Sequence, residues 1–389
     1  MSEQLNLEDV AGYLEENLPA YLADLETIVN IDSGTFDKEG VDRVGAELRE
    51  RYRGLDAAIE VHPSVTHGDN VSVELEGDGR GTVLLIGHLD TVYAAGTTLT
   101  RPFTVRDSRA YGPGVADMKS GDLSILYALR CLRALGFSAF RRILVVHNSD
   151  EEIGSPGSRE LIRRAAGAAD AVLVLEAGRE NGNIVSARKG IADCRLHVTG
   201  RSAHAGVNHE LGRSAILELA HLVVGLEGLN GQVRGATLNV GRVDAGERIN
   251  VVPDQAFAHF EIRAFQTESL ERMLRLAQEV VDRRTIPDTA ATLQVSIEHY
   301  PMHKSRESQR LVDLAQRLSR QIGFEVRDVA TGGASDGNTA AAAGRPVLDG
   351  LGPIGGRAHS PDEFLEIASI VPRTALLTGL IAAIGDGAW

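Results

Sequence analysis

The sequence predicts an α/β protein: a parallel-rich, doubly wound sheet with a smaller ferredoxin-like (βαββαβ) domain inserted into it. Three observations carry this. Residues 82–88 (TVLLIGH), 142–148 (RILVVHN) and 171–175 (AVLVL) are unbroken apolar runs rich in Val, Ile and Leu. Such runs mark strands buried on both faces of a parallel sheet. Helical spacings alternate with them, which places helices on both faces. From about residue 186 the order changes to strand, helix, strand, strand, helix, strand, the split motif of a separate small domain.

The elements follow in order. Residues 5–29 and 41–53 have apolar spacings of three and four and read as helices. Strands are expected at 58–61, 70–75 and 82–87. Residues 118–135 read as an amphipathic helix with Leu123, Leu126, Tyr127 and Leu129 on one face, stopped by Gly136. Strand 142–148, helix 158–166 and strand 171–175 complete the first part. The inserted domain takes strands 191–199, 237–243, 256–263 and 292–298 and helices 214–227 and 268–284. A helix at 308–323, a Gly-rich loop at 331–338, a short strand at 346–348 and a helix at 367–384 return to the first pattern. The expected domains are therefore 1–185 with 299–389, and 186–298.

The 389 residues suffice for two domains, and the composition is that of a soluble globular chain with a large core. The net charge of −14 argues against a nucleic-acid partner, which needs a basic surface, and against an anionic membrane surface. Cys131 and Cys194 give no disulfide framework. The N-terminal stretch is acidic and broken by polar residues, unlike a signal peptide, and the apolar run 374–384 is too short to span a bilayer. A cytoplasmic location is the expectation.

In open α/β sheets ligands bind beyond the carboxyl ends of the strands. There the three apolar runs deliver His88 with Asp90, then Asp150-Glu151-Glu152, then Glu176. Asp117 follows a Gly-Pro-Gly turn just ahead of a helical stretch. Taken singly, Asp117 reads as a helix N-cap and His88 as a buried structural histidine. Several carboxylates in one cleft repel each other unless a cation joins them.

The motifs HLDTV (88–92), GPGVADMKSG (112–121), SDEEIGS (149–155), LEAG (175–178) and AHSPDEF (358–364) resemble, in order, the five signatures of the co-catalytic zinc peptidases. Glutamate carboxypeptidase, aminoacylase, acetylornithine deacetylase and succinyl-diaminopimelate desuccinylase belong to that family. The resemblance spans almost the whole chain and is strongest to glutamate carboxypeptidase. It implies two Zn2+ per subunit, with Mn2+ or Co2+ as alternatives. His88 and Glu176 would hold one ion, Glu152 and His359 the other, and Asp117 would bridge them. Glu151 would be general base and acid, and Asp90 would orient His88. A cis peptide between Asp117 and Met118 is also implied.

The family reading makes His204, in the segment Ser202–Gly206, a dimer-dependent residue that reaches a partner subunit's site and stabilises the oxyanion. Arg263 and Asn250 would bind substrate, Arg263 as a clamp for a terminal carboxylate; surface salt bridging is the other reading for that arginine. Lys189 is a weaker candidate. The loop 332–338 lacks the lysine and spacing of a phosphate loop; its counterpart in the family lies beside the substrate, which implies that Gly333 lines it, a glycine letting the main chain approach closely. Glutamate rather than aspartate at 176 is common among the family's carboxypeptidases and deacylases.

The resemblance thus implies an amide hydrolase that releases a C-terminal amino acid from a small peptide or N-acyl amino acid by way of a metal-bridging hydroxide. It also implies a homodimer formed through the inserted domain. An N-acyl-amino-acid deacylase, acetylornithine deacetylase or succinyl-diaminopimelate desuccinylase, is the near alternative. A ligand-binding homologue without catalysis is the alternative of another class.

Overall fold

The computed structural model describes residues 5–387 and 389. They divide into two compact units. One comprises the chain through Ser186, Lys304–Ala330 and Ser335 onward; the other comprises Ala187–His303 and Thr331–Ala334. Three differences from the expected boundaries follow. Ser186 goes with the first unit. Residues 299–303 go with the second unit, and so does the short segment Thr331–Ala334, half of the Gly-rich loop.

The first unit is built on a six-stranded sheet. Its order is Ala58–His62, Asn70–Glu76, Arg142–Asn148, Thr82–His88, Ala171–Val174 and Val347–Leu348. The last four strands run parallel to one another; the first two are antiparallel additions at one edge. Every residue of Thr82–His88 is buried, as an unbroken apolar run at the sheet centre requires. Helices Leu7–Val29, Ser120–Ala134, Arg306–Ile322 and Ile370–Gly385 pack together against the sheet, and Arg159–Ala168 packs on it with Asp336–Ala342.

Four sequence expectations change here. The helix expected from 118 begins at Ser120, because Asp117 and Met118 have non-helical dihedrals. It is buried on nearly all sides rather than along one stripe. The 331–338 loop contains the end of a strand, Asp328–Thr331, and the start of the helix Asp336–Ala342. The final apolar segment is longer than 374–384: Ile367–Gly385 has 19 residues, mean hydropathy 1.8, and could cross a membrane by length and composition. Within this fold most of the segment is buried, and the helix packs against the helices Leu7–Val29, Ser120–Ala134 and Arg306–Ile322.

A four-stranded antiparallel sheet has no counterpart in the sequence reading, and neither does the two-stranded sheet of Ile184–Arg188 and Asp328–Thr331. The order of the four-stranded sheet is Gly355–Gly356, Phe364–Glu366, Arg109–Tyr111, Thr104–Arg106. It pairs Phe364 with Tyr111 and Glu366 with Arg109, and so joins two chain segments far apart in sequence.

The second unit has one four-stranded antiparallel sheet in the order Ala236–Ala245, Gln255–Ala264, Gly190–Thr199, Ala290–His299. Helices Ala215–Glu227 and Thr267–Asp282 lie against it. Strand residues alternate buried and exposed, with Ala192, Cys194, Leu196 and Val198 inward. Both cysteines are free and buried.

Candidate metal centre

Three parallel strands end at one rim of the first unit's sheet, and each brings a side chain there. His88 closes the strand Thr82–His88, Glu151 and Glu152 begin the turn after Arg142–Asn148, and Glu176 follows Ala171–Val174. Asp117 sits in the irregular turn Val115–Lys119, where the Asp117–Met118 peptide is cis. His359 lies between Gly355–Gly356 and Phe364–Glu366, and has positive φ (62°).

Asp117 stands between the two histidines. Its Oδ1 is 3.2 Å from His88 Nε2, and its Oδ2 is 3.2 Å from His359 Nε2. His88 Nε2 is also 3.8 Å from Glu176 Oε1, and His359 Nε2 is 3.1 Å from Glu152 Oε2. Two atoms bound tetrahedrally to one Zn2+ at 2.0–2.1 Å lie about 3.3 Å apart, so these spacings fit a common ion. His88, Asp117 and Glu152 form one group of donors within reach of a cation, and His88, Glu151 and Glu176 form a second.

The electrostatics favour a cation too. Burial raises Glu151 well above the usual carboxylate range, and the charge of Glu176 pushes the same way. Burial also raises Glu152. Burial disfavours a charged His88, but its hydrogen bonds to Asp117 and Asp90 outweigh this and lift its pKa well above the ordinary value. Hydrogen bonds with Asp117 and Glu152 lift His359 to about 10. The carboxylates thus draw protons onto both imidazoles; a bound divalent ion would displace those protons.

Asp90 is fully buried. His88 Nδ1 is 3.0 Å from the Asp90 main-chain oxygen and 3.4 Å from its carboxylate. The carboxylate itself accepts from Thr35 Oγ1 (2.7 Å) and from the main-chain N–H groups of Glu151 (3.1 Å) and Glu152 (3.2 Å). It therefore holds the turn bearing both glutamates as well as flanking His88.

Residues 84–383 match the model of peptidase family M20/M25/M40. The chain belongs to that family. Carboxypeptidase G2 of Pseudomonas sp. strain RS-16 is 32 % identical over 379 residues, covering 95 % of this chain and 90 % of the relative. Acetylornithine deacetylase of Edwardsiella ictaluri is 25 % identical over 391 residues, 95 % of this chain and 98 % of the relative. Among solved structures, aminopeptidase PepT of Bacillus cereus superposes with a TM-score of 0.80 at 23 % identity, covering 95 % of this chain and 99 % of that one. Membership of the M20/M25/M40 family makes the protein a metallohydrolase of amide bonds.

The remaining candidates belong to the second unit. His204 is exposed; its Nδ1 accepts from Gly206 N (3.1 Å), and it forms an isolated bridge with Val251. Asn250 is exposed, and its main-chain oxygen accepts from Ala205 N (3.0 Å). Arg263 is already engaged. Its Nε and Nη2 donate to the two carboxylate oxygens of Glu261 (2.8 and 2.9 Å), and its Nη1 donates to Gly332 O (3.0 Å). Arg188 donates to the carbonyl of Gly333 (3.1 Å), and a Cβ at Gly333 would meet only that guanidinium, at 3.9 Å. Lys189 Nζ donates to Thr237 Oγ1 (3.0 Å).

Two contributors were missed. Thr35 precedes any motif, and only the fold brings its hydroxyl to Asp90. Glu363 lies inside the AHSPDEF motif without an assigned part, yet it is buried against the Asp117 turn. Its signal was a carboxylate at the mouth of a three-residue strand, too short to carry a periodic pattern.

Proposed function

We propose that this protein is a dinuclear zinc-dependent carboxypeptidase that releases a C-terminal amino acid from a peptide or N-acyl conjugate. The observation that carries the reading is the bridge: one carboxylate, Asp117, presents one oxygen to His88 and the other to His359, each at 3.2 Å. His88 and Glu176 would hold one ion, Glu152 and His359 the other. A structure of similar fold adds weight: the Bacillus subtilis YXEP protein, a dinuclear metal binding M20 peptidase, superposes with a TM-score of 0.72 at 15 % identity over 96 % of this chain and 99 % of that one.

When bound, the ions polarise the scissile carbonyl and acidify the attacking water. Glu151 takes that water's proton on its carboxylate and passes it to the leaving nitrogen. Asp90 keeps Glu151 and Glu152 in place through their main-chain N–H groups.

The same reading gives the second unit its part. Arg263 with Asn250 would meet the substrate's terminal carboxylate, Gly333 would line it, and His204 would serve the site of a second copy. Exposed Val207, Leu211 and Ile249 lie on adjoining connections of this unit and Ile216 on the first turn of the helix Ala215–Glu227, a concentration of large apolar side chains that supports a homodimer there. A cytoplasmic location accompanies this proposal.

The test is a panel of C-terminal amino-acid conjugates, peptides, N-acetylornithine and N-succinyl-diaminopimelate, on protein reconstituted with defined metals. Release of C-terminal amino acids is expected; preference for the last two substrates would replace this reading with a deacylase. Glu151→Gln should retain metal and lose about 10²–10⁴ in kcat. Unchanged turnover in that variant, or inertness of the metal-loaded protein towards every amide, would overturn the mechanism.

A further inference from the structure

His359 and Glu363 stand on one short segment, four residues apart. The first faces the Asp117 carboxylate; the second grips the main chain behind it. Glu363 is 1 % exposed. Its Oε1 accepts from the N–H groups of Ala116 (2.9 Å) and Asp117 (3.0 Å), and its Oε2 accepts from Gly114 N (3.0 Å). The Tyr93 hydroxyl lies 2.7 Å from Oε2 and 2.9 Å from Ser360 O, both within reach of its one proton.

These N–H groups open a helical turn, Val115–Lys119, and have no acceptor inside it. A carboxylate from elsewhere in the chain fills that need. The strand that starts at Phe364 then pairs with Arg109–Tyr111, just ahead of the same turn. The Asp117 turn and the His359 segment are thus joined at three places: the small sheet, the Glu363 carboxylate and the Asp117–His359 contact.

We propose that Glu363 is a positioning residue: it clamps the Gly114–Asp117 main chain to the segment presenting His359, and so sets the spacing between these two donors. The proposal rests on the reading of Asp117 and His359 as metal ligands. Only a carboxylate fits the part. The amide of glutamine offers one oxygen and one N–H-bearing nitrogen, and that nitrogen would confront Gly114 N–H or the Ala116 and Asp117 pair. Donor would then face donor in a site closed to water.

The experiment uses the full chain, stripped with a chelator. Zn2+ is titrated by calorimetry against a competing chelator, and Co2+ uptake is followed by its visible absorption. Glu363→Gln should weaken at least one equivalent about ten- to a hundredfold and change the cobalt spectrum. A residue that merely stabilised the fold would lower the melting temperature and leave both readouts of the folded protein unmoved. Asp117→Asn is the control. If Asp117→Asn weakens metal binding while Glu363→Gln matches the wild type in affinity and spectrum, the clamp is refuted and the metal centre stands. If Asp117→Asn leaves metal binding intact, the metal reading fails and the clamp with it. Should Glu363→Gln not fold, Tyr93→Phe takes its place. It removes one donor from Oε2 and leaves the main-chain bonds, so a weakening of about two- to tenfold supports the clamp and an unchanged affinity overturns it.

Discussion

Asp90→Asn changes one atom of a fully buried side chain, and the geometry says what that costs. The wild-type carboxylate is acceptor to three donors: Thr35 Oγ1, Glu151 N and Glu152 N, at 2.7, 3.1 and 3.2 Å. Asparagine keeps one oxygen. Its nitrogen can donate to the Thr35 hydroxyl, which can turn round and accept. A main-chain N–H cannot turn, so either Glu151 or Glu152 loses its acceptor. A hydrogen bond to a charged group contributes about 1.5–3 kcal/mol, and a stranded buried donor costs a similar amount. The surviving main-chain bond weakens as its acceptor loses charge. Relief from burying a carboxylate offsets part of this, leaving a net loss of about 2 kcal/mol. The assay is urea unfolding of the chelator-treated protein, followed by circular dichroism for the first unit's transition, with zinc titration alongside. Zinc affinity should fall about tenfold or more, because the turn bearing Glu152 loses its anchor. Stability within about 0.5 kcal/mol of wild type, together with unaltered zinc affinity, would refute the argument.

Two further outcomes test other parts of the structure. Burial pushes Asp336 up to about 6; its Oδ1 accepts the Ser155 hydroxyl (2.5 Å), and Oδ2 finds no partner among the described residues. Its folded pKa exceeds the unfolded value, so the stability it contributes is present below pH 4 and lost as pH rises through about 6. Asp336→Asn in chelator-treated protein should therefore exceed wild type by about 3 kcal/mol at pH 8, with the gain gone at pH 4; a gain independent of pH would contradict this. Leu380→Ala in the final helix should cost about 3 kcal/mol in unfolding experiments, since Leu380 is fully buried. A negligible loss would mean that this apolar helix is not the core element described above.

The parallel strands were legible because burial on both faces writes itself as an unbroken apolar run. Their ends were legible for the same reason: where TVLLIGH and RILVVHN stop, the polar groups begin, and those groups are His88 and Glu151-Glu152. The small sheet joining Arg109–Tyr111 to Phe364–Glu366 was not, because strands of three residues have too few alternations to show a period. With it went the surroundings of His359 and the part played by Glu363. Arg263 shows a different gap. Its type left both a substrate clamp and a surface ion pair open, and the carboxylate it holds in this structure is Glu261, two positions away on the same strand. Side-chain pairing of that kind depends on which face of the strand is open, and residue type alone does not fix it.

The antiparallel sheet has a temporal side as well. Its strands come from residues 104–111 and 355–366, and the large sheet also waits for Val347–Leu348 at its edge. A ribosome therefore makes His88, Asp117, Glu152 and Glu176 long before His359 and Glu363 emerge. Contacts of such long range form slowly because the intervening loop must first be closed. Until His359 has been made the donor set is incomplete, so the centre matures after the strands that carry its other members.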